Sequence, residues 1–158
     1  MRMKILMVCM GNICRSPMAE GILQHKATTA GLNWLIDSAG TGGWHSGEAP
    51  DRRAISKLSE YGIDISTLRA RKLTHQDLID FDLIYVMDTD NYNEVKLLAK
   101  NRPDLMEKVK FILNEVKPDF NRSVPDPYYG DIENFELVYQ LLNPACDAIV
   151  AKYMAGYW

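Results

Sequence analysis

The chain has 158 residues, 47% of them hydrophobic and 25% charged, and a formal net charge of −3. That balance describes one ordinary globular domain and excludes a disordered polyelectrolyte or a basic nucleic-acid binder. No apolar run reaches the roughly 18 residues of a membrane span, and Arg2 and Lys4 precede only the five apolar residues Ile5 to Cys9, too few for a signal-peptide core.

The first predicted element is a buried strand over Lys4–Cys9. A short loop leads into a helix over Pro17–Ala30, with Ser16 as N-cap, Pro17 as first helical residue, and Met18, Ile22, Leu23, Ala27 and Ala30 at helical spacing. A second strand follows at Trp34–Ser38, with Trp34 in the core, and then helices at Arg52–Tyr61 and His75–Ile79. Leu83–Met87 reads as a third strand and Asn91–Lys100 as a helix, preceded by Asp88 and Asp90 where acids cap and favour the dipole. The fourth strand is Val109–Leu113. A long Pro-rich loop, Pro118 to Gly130, precedes a last helix with Phe135, Val138, Leu142, Ala145 and Ile149 at three-and-four spacing, which Pro144 should kink or split. With no repeat or linker, residues 1–158 read as a single α/β domain: an open parallel four-stranded sheet with helices on both faces. Ligands of such sheets bind at the carboxyl ends of strands, where Cys9 falls.

Residues Val8-Cys9-Met10-Gly11-Asn12-Ile13-Cys14-Arg15-Ser16-Pro17 carry the chemistry. Gly11 and Asn12 suit a tight loop with positive φ angles. The loop wraps a helix N-terminus, whose free amides and dipole favour an anion, and Arg15 can arch back to grip a phosphate with its planar fork of donors. The same positive field favours a thiolate at Cys9 and makes it a nucleophile. Three cysteines, two of them in this loop, make no disulfide framework, so a reducing cytoplasm is expected. His25, His45 and His75 lack paired metal spacing, and neither metal nor cofactor is expected.

The string CMGNICRSP resembles the signature of the low-molecular-weight protein tyrosine phosphatases. Four further landmarks of that family follow in order: Asp37-Ser38-Ala39-Gly40-Thr41, Gly47-Glu48-Ala49-Pro50-Asp51, Phe81-Asp82 through Val86-Met87-Asp88, and Val124-Pro125-Asp126-Pro127-Tyr128-Tyr129-Gly130. The resemblance spans essentially the whole chain. It implies a flavodoxin-like sheet of the phosphotyrosine protein phosphatase I type, with phosphotyrosine proteins, a tyrosine kinase among them, as partners. It further implies that Cys9 forms a cysteinyl-phosphate, that Arg15 and the loop amides hold the phosphate oxygens, and that Asp126 is the general acid and later the base. Met10, Gly11, Asn12, Ile13, Cys14, Ser16, Trp44, Tyr128 and Tyr129 are the implied substrate-binding residues. Trp44, Tyr128 and Tyr129 would form an aromatic rim, and the Ser16 hydroxyl would face the sulfur unless it serves as a simple N-cap. Cys14 is the implied redox partner that captures an oxidised Cys9, whereas Cys146 reads as a buried small residue. One departure concerns Leu68, where many relatives carry His. A hydrogen bond towards Asn12 and Ser16 is therefore missing or supplied differently.

Three rivals remain. A thioredoxin-coupled arsenate reductase needs further cysteines near the central strand, and residues 82–100 hold none. A protein arginine phosphatase places Thr where Ile13 stands and lacks the paired tyrosines. A non-catalytic phosphoprotein-binding module is the rival of another class, and joint retention of Cys9, Arg15 and Asp126 argues against it.

Overall fold

The computed structural model describes residues 2–156. Four strands, β1 (Lys4–Cys9), β2 (Leu35–Gly40), β3 (Leu83–Val86) and β4 (Val109–Phe111), form one sheet in the order β2-β1-β3-β4, with every pairing parallel. Six helices join them: α1 (Arg15–Thr29), α2 (Arg52–Glu60), α3 (His75–Asp80), α4 (Thr89–Ala99), α5 (Pro103–Met106) and α6 (Ile132–Met154).

The strand pleat divides the core in two. Ile5, Met7, Cys9, Tyr85 and Met87 face a layer formed with α1, α2 and α6, including Met18, Ile22, Leu58, Phe135 and Leu142. Their neighbours Leu6, Val8, Ile84 and Val86 face the opposite layer, with Leu78, Val95 and Leu105 of α3, α4 and α5. Both faces of β1 and β3 are thus apolar, as a parallel sheet covered on both sides requires. The chain runs from β1 to one side for β2 and then crosses β1 to reach β3, so the order of strands reverses at β1. The crevice above that reversal is where such sheets bind ligands, and Cys9 ends β1 there.

Several local expectations need correction. Ser16 is not an N-cap: α1 begins at Arg15 after Cys14, with no side-chain cap, so the first amides stay open to a ligand. Ala30 leaves the apolar stripe, being the exposed residue just past α1. Gly11 does not adopt a positive φ; only Asn12, at φ 58°, does so in this loop. What Gly11 supplies is room, since a Cβ there would lie 3.2 Å from His45 Cδ2. Strand β4 stops at Phe111 and continues as a 3-10 turn, Ile112–Glu115. Helix α6 passes through Pro144 unsplit, because Pro144 lies on its exposed side while Leu142, Ala145 and Cys146 are buried beneath. Trp34 is buried, its ring edge-on to Tyr153 at 5.2 Å between centroids.

Candidate active site

The loop between β1 and α1 is locked by the segment after β2. Thr41 and Gly42 donate backbone hydrogen bonds to Cys9 and Met10, both at 2.9 Å, and Asp51 donates to Ile13 at 2.8 Å. Gly40 permits this approach, for a Cβ there would stand 2.7 Å from the Met10 carbonyl oxygen. The left-handed Asn12 is held by its own amide. Its Nδ2 donates to Ser16 Oγ at 2.8 Å and to Ser38 Oγ at 2.9 Å, and its Oδ1 accepts from the Arg71 backbone at 3.0 Å. With Leu68 in place of a histidine, the side-chain bonds that hold Asn12 are those to Ser16, Ser38 and the Arg71 backbone.

Cys9 Sγ lies 2.9 Å from Ser16 Oγ and accepts the Asn12 backbone N–H at 3.3 Å. Because Ser16 Oγ already accepts from Asn12, its proton is free to point at the sulfur. Arg15 is 3% exposed and directs Nη1 to Asp88 Oδ2 at 2.6 Å and to the Val124 carbonyl at 3.0 Å. Its Nη2 lies 3.9 Å from Asp126 Oδ2. Burial opposes the Arg15 charge, but Cys9 and then the Asp88 hydrogen bond and charge outweigh it and hold the guanidinium above its ordinary range.

Asp126 rides on a loop anchored at both ends. Val124 donates to the Met87 carbonyl at 2.8 Å, extending the line of β3. Arg53 grips the other end, donating to the Tyr128 and Gly130 carbonyls at 2.9 and 2.8 Å while its head lies 4.6 Å from the Phe135 ring. Asp51 fixes that arginine, and the hydrogen bond from Arg53 outweighs burial to hold the Asp51 carboxyl below its usual range.

Cys9, Arg15 and Asp126 meet in one cleft of about 310 Å³, with Met10, Gly11, Ile13, Cys14, Trp44, His45, Tyr128 and Tyr129 as its other walls. Trp44 and Tyr129 stand out at 64% and 93% exposure, so the rim of the cleft presents aromatic surface to solvent. The Asn12 and Ser16 side chains do not reach the cleft and lie behind the sulfur. Cys14 is buried, and burial first, then the negative fields of Asp51, Cys9 and Asp126, push its thiol far up. Cys146 sits apart on α6, with burial pushing its thiol up to about 12. Among the described residues no group of three His, Cys, Asp or Glu is placed to hold a metal ion.

Sequence reasoning missed Asp88, Arg53, Ser38 and His45. Asp88 was legible in principle, since it follows β3 at the carboxyl edge of the sheet. The other three depend on contacts between distant segments.

A family model for low molecular weight phosphotyrosine protein phosphatase matches residues 4–155. The chain is 41% identical to the low molecular weight protein-tyrosine-phosphatase YfkJ of Bacillus subtilis, over 94% of each chain. The solved structure of YfkJ superposes with a TM-score of 0.91, covering 100% of this chain and 98% of that one. The human low molecular weight phosphotyrosine protein phosphatase is 36% identical over 94% of both chains. The crystal structure of DARP, a Drosophila arginine phosphatase, is 32% identical with a TM-score of 0.88, covering 96% of this chain and 98% of its own.

Proposed function

The chain belongs to the low molecular weight phosphotyrosine protein phosphatase family and is a phosphatase, and from that premise we propose that it hydrolyses phosphotyrosine through a cysteinyl-phosphate on Cys9. The observation that carries this reading is the meeting of Cys9, Arg15 and Asp126 in one aromatic-rimmed cleft. A sulfur lone pair attacks phosphorus in line, forming the S–P bond as the bond to the phenolic oxygen breaks. Asp126 gives its proton to that oxygen. Arg15 and the open amides of α1 hold the equatorial oxygens as charge spreads over them. A water then attacks phosphorus and loses its proton to the Asp126 carboxylate, and the S–P bond breaks to return the thiolate and release phosphate. Ser16 supports the resting thiolate by the hydrogen bond described above.

Specificity rests on the walls. Trp44, Tyr128 and Tyr129 suit a phenyl ring that carries its phosphate to the loop floor, a reach phosphoserine lacks. Phosphoproteins are the substrate class, and a tyrosine kinase is among the partners this chemistry fits. A reducing cytoplasm is the compartment that suits a reaction needing a reduced Cys9. Likeness to DARP keeps phosphoarginine as the rival substrate, against which Ile13 presents a bulky apolar wall. Turnover on matched phosphotyrosine, phosphoserine and phosphoarginine peptides tests the reading. Phosphotyrosine should lead, and Ile13→Thr should move the balance towards phosphoarginine. Greatest wild-type activity on phosphoarginine would overturn it.

A further inference from the structure

An unbroken run of buried hydrogen bonds leads away from the nucleophile to a carboxyl that the reaction does not use. Ser16 touches Cys9, Asn12 donates to Ser16 and to Ser38, and the Ser38 hydroxyl donates to Glu20 Oε1 at 2.6 Å. Glu20 lies on α1 one turn after Ser16, and it is buried at 9% exposure. No ion pair to it forms among the described residues. Two charged groups face it: Asp37 from β2, and Arg71 from the segment before α3. Arg71 is itself engaged by Asp37 at 3.0 Å and Asp77 at 2.9 Å, so its charge is already shared.

We propose that Glu20 is a positioning residue for the nucleophile. Through Ser38 and Asn12, its carboxyl governs how firmly the Ser16 hydroxyl is turned onto the Cys9 sulfur, and so how reactive that sulfur is as pH changes. Each donor in the run has one direction available, because Asn12 Nδ2 can only donate and both serine oxygens accept from it. A neutral Glu20 leaves Ser16 free to serve the sulfur alone. An ionised Glu20 pulls the Ser38 proton, polarises Asn12 towards Ser38, weakens its grip on Ser16, and adds a second buried negative charge near the thiolate. Burial, helped by Asp37 and opposed by the Ser38 hydrogen bond and Arg71, pushes the Glu20 carboxyl up to about 7, so the change falls near neutral pH.

This inference rests on Cys9 being the nucleophile, but its test reads the sulfur and not turnover, so the two fail separately. The rate at which iodoacetamide alkylates Cys9 is followed by peptide mass spectrometry across pH, in the wild type, Glu20→Gln and Ser38→Ala. The wild type and Glu20→Gln should agree below about pH 6 and diverge above about pH 7, where Glu20→Gln should alkylate about three- to tenfold faster. Ser38→Ala should react more slowly at low pH and lose the neutral inflection. Superimposable wild-type and Glu20→Gln profiles would overturn the proposal. Should the variants not fold, the 13C shift of the Glu20 carboxyl in the wild-type chain decides. Its midpoint must move when orthovanadate fills the cleft, by reciprocity of coupling, and an unmoved midpoint overturns the proposal equally.

Discussion

Asp88 Oδ2 stands 2.6 Å from Arg15 Nη1, while Asp88 Oδ1 accepts the Asn91 amide at 2.8 Å. One carboxylate therefore caps α4 and holds the arginine of the phosphate loop. The Val124 carbonyl, 3.0 Å from the same Nη1, fixes the guanidinium from the side of the acid loop. Arg15 is thus referenced to β3, to α4 and to the segment bearing Asp126.

Removing that reference should be expensive. Asp88→Ala should lower kcat/KM on an aryl phosphate by about 10²-fold through lost orientation of Arg15. It should also remove about 1 kcal/mol of stability through the lost cap. Asp88→Asn keeps one acceptor, Oδ1, which can still cap α4 through the Asn91 amide, but presents an NH2 donor and no charge to Arg15, so the cap's share of stability should be kept while kcat/KM still falls. Steady-state kinetics and urea unfolding separate the two effects, and equal stability losses in both variants would contradict the double role.

Asp126 should matter in proportion to the leaving group. Asp126→Asn should slow phosphotyrosine by about 10²–10⁴-fold and an aryl phosphate with a stable phenolate far less. Because the carboxyl must carry a proton when the phenolate leaves, wild-type turnover should be higher on the acidic than on the alkaline side of neutrality. Equal losses on both substrates would make Asp126 a structural residue.

Cys14 shares the cleft with Cys9, and Cys146 does not. Peroxide should inactivate the enzyme reversibly, with a Cys9–Cys14 disulfide seen by mass spectrometry and recovery in dithiothreitol. Cys14→Ser should keep its initial activity yet recover poorly, as the sulfenic acid proceeds to sulfinic acid. Cys146→Ser should behave as wild type. Full recovery of Cys14→Ser would remove the protective role.

Glu20 makes a stability prediction independent of catalysis. Its folded-state carboxyl is pushed up to about 7, chiefly by burial. A raised acid favours the native state fully below its unfolded value and loses that contribution as pH climbs through the folded one. Between about pH 4.5 and 7.5 the wild type should therefore lose up to about 3 kcal/mol relative to Glu20→Gln. Urea midpoints that keep a constant difference across this window would contradict a neutral buried Glu20.

How much of this was legible in sequence follows contact range. Cys9, Asn12 and Arg15 lie within one loop, so spacing alone juxtaposed them. The four strands were visible as apolar runs because both faces of the sheet are buried. Asp88 read only as a cap, since its second role requires β1 and β3 to be neighbours, which the sheet order alone supplies. Arg53 reaches Tyr128 and Gly130 across 75 and 77 residues, and no local pattern announces that. Ser16-Pro17 imitates a helix start because serine and proline favour the first turn, yet the helix begins two residues earlier, at Arg15, and turns the Ser16 hydroxyl to the sulfur. The four-residue helix α5 was too short to show a period.

The covalent step on Cys9 is read by acid quench. Wild-type enzyme turning over a phosphotyrosine peptide is stopped within the first turnovers and its peptides are mapped by mass spectrometry. One added phosphoryl group should appear on the Cys9 peptide and be absent when Cys9→Ser is treated alike, with turnover abolished in that variant. Phosphate found on another residue, or turnover that persists in Cys9→Ser, would contradict the covalent step on Cys9.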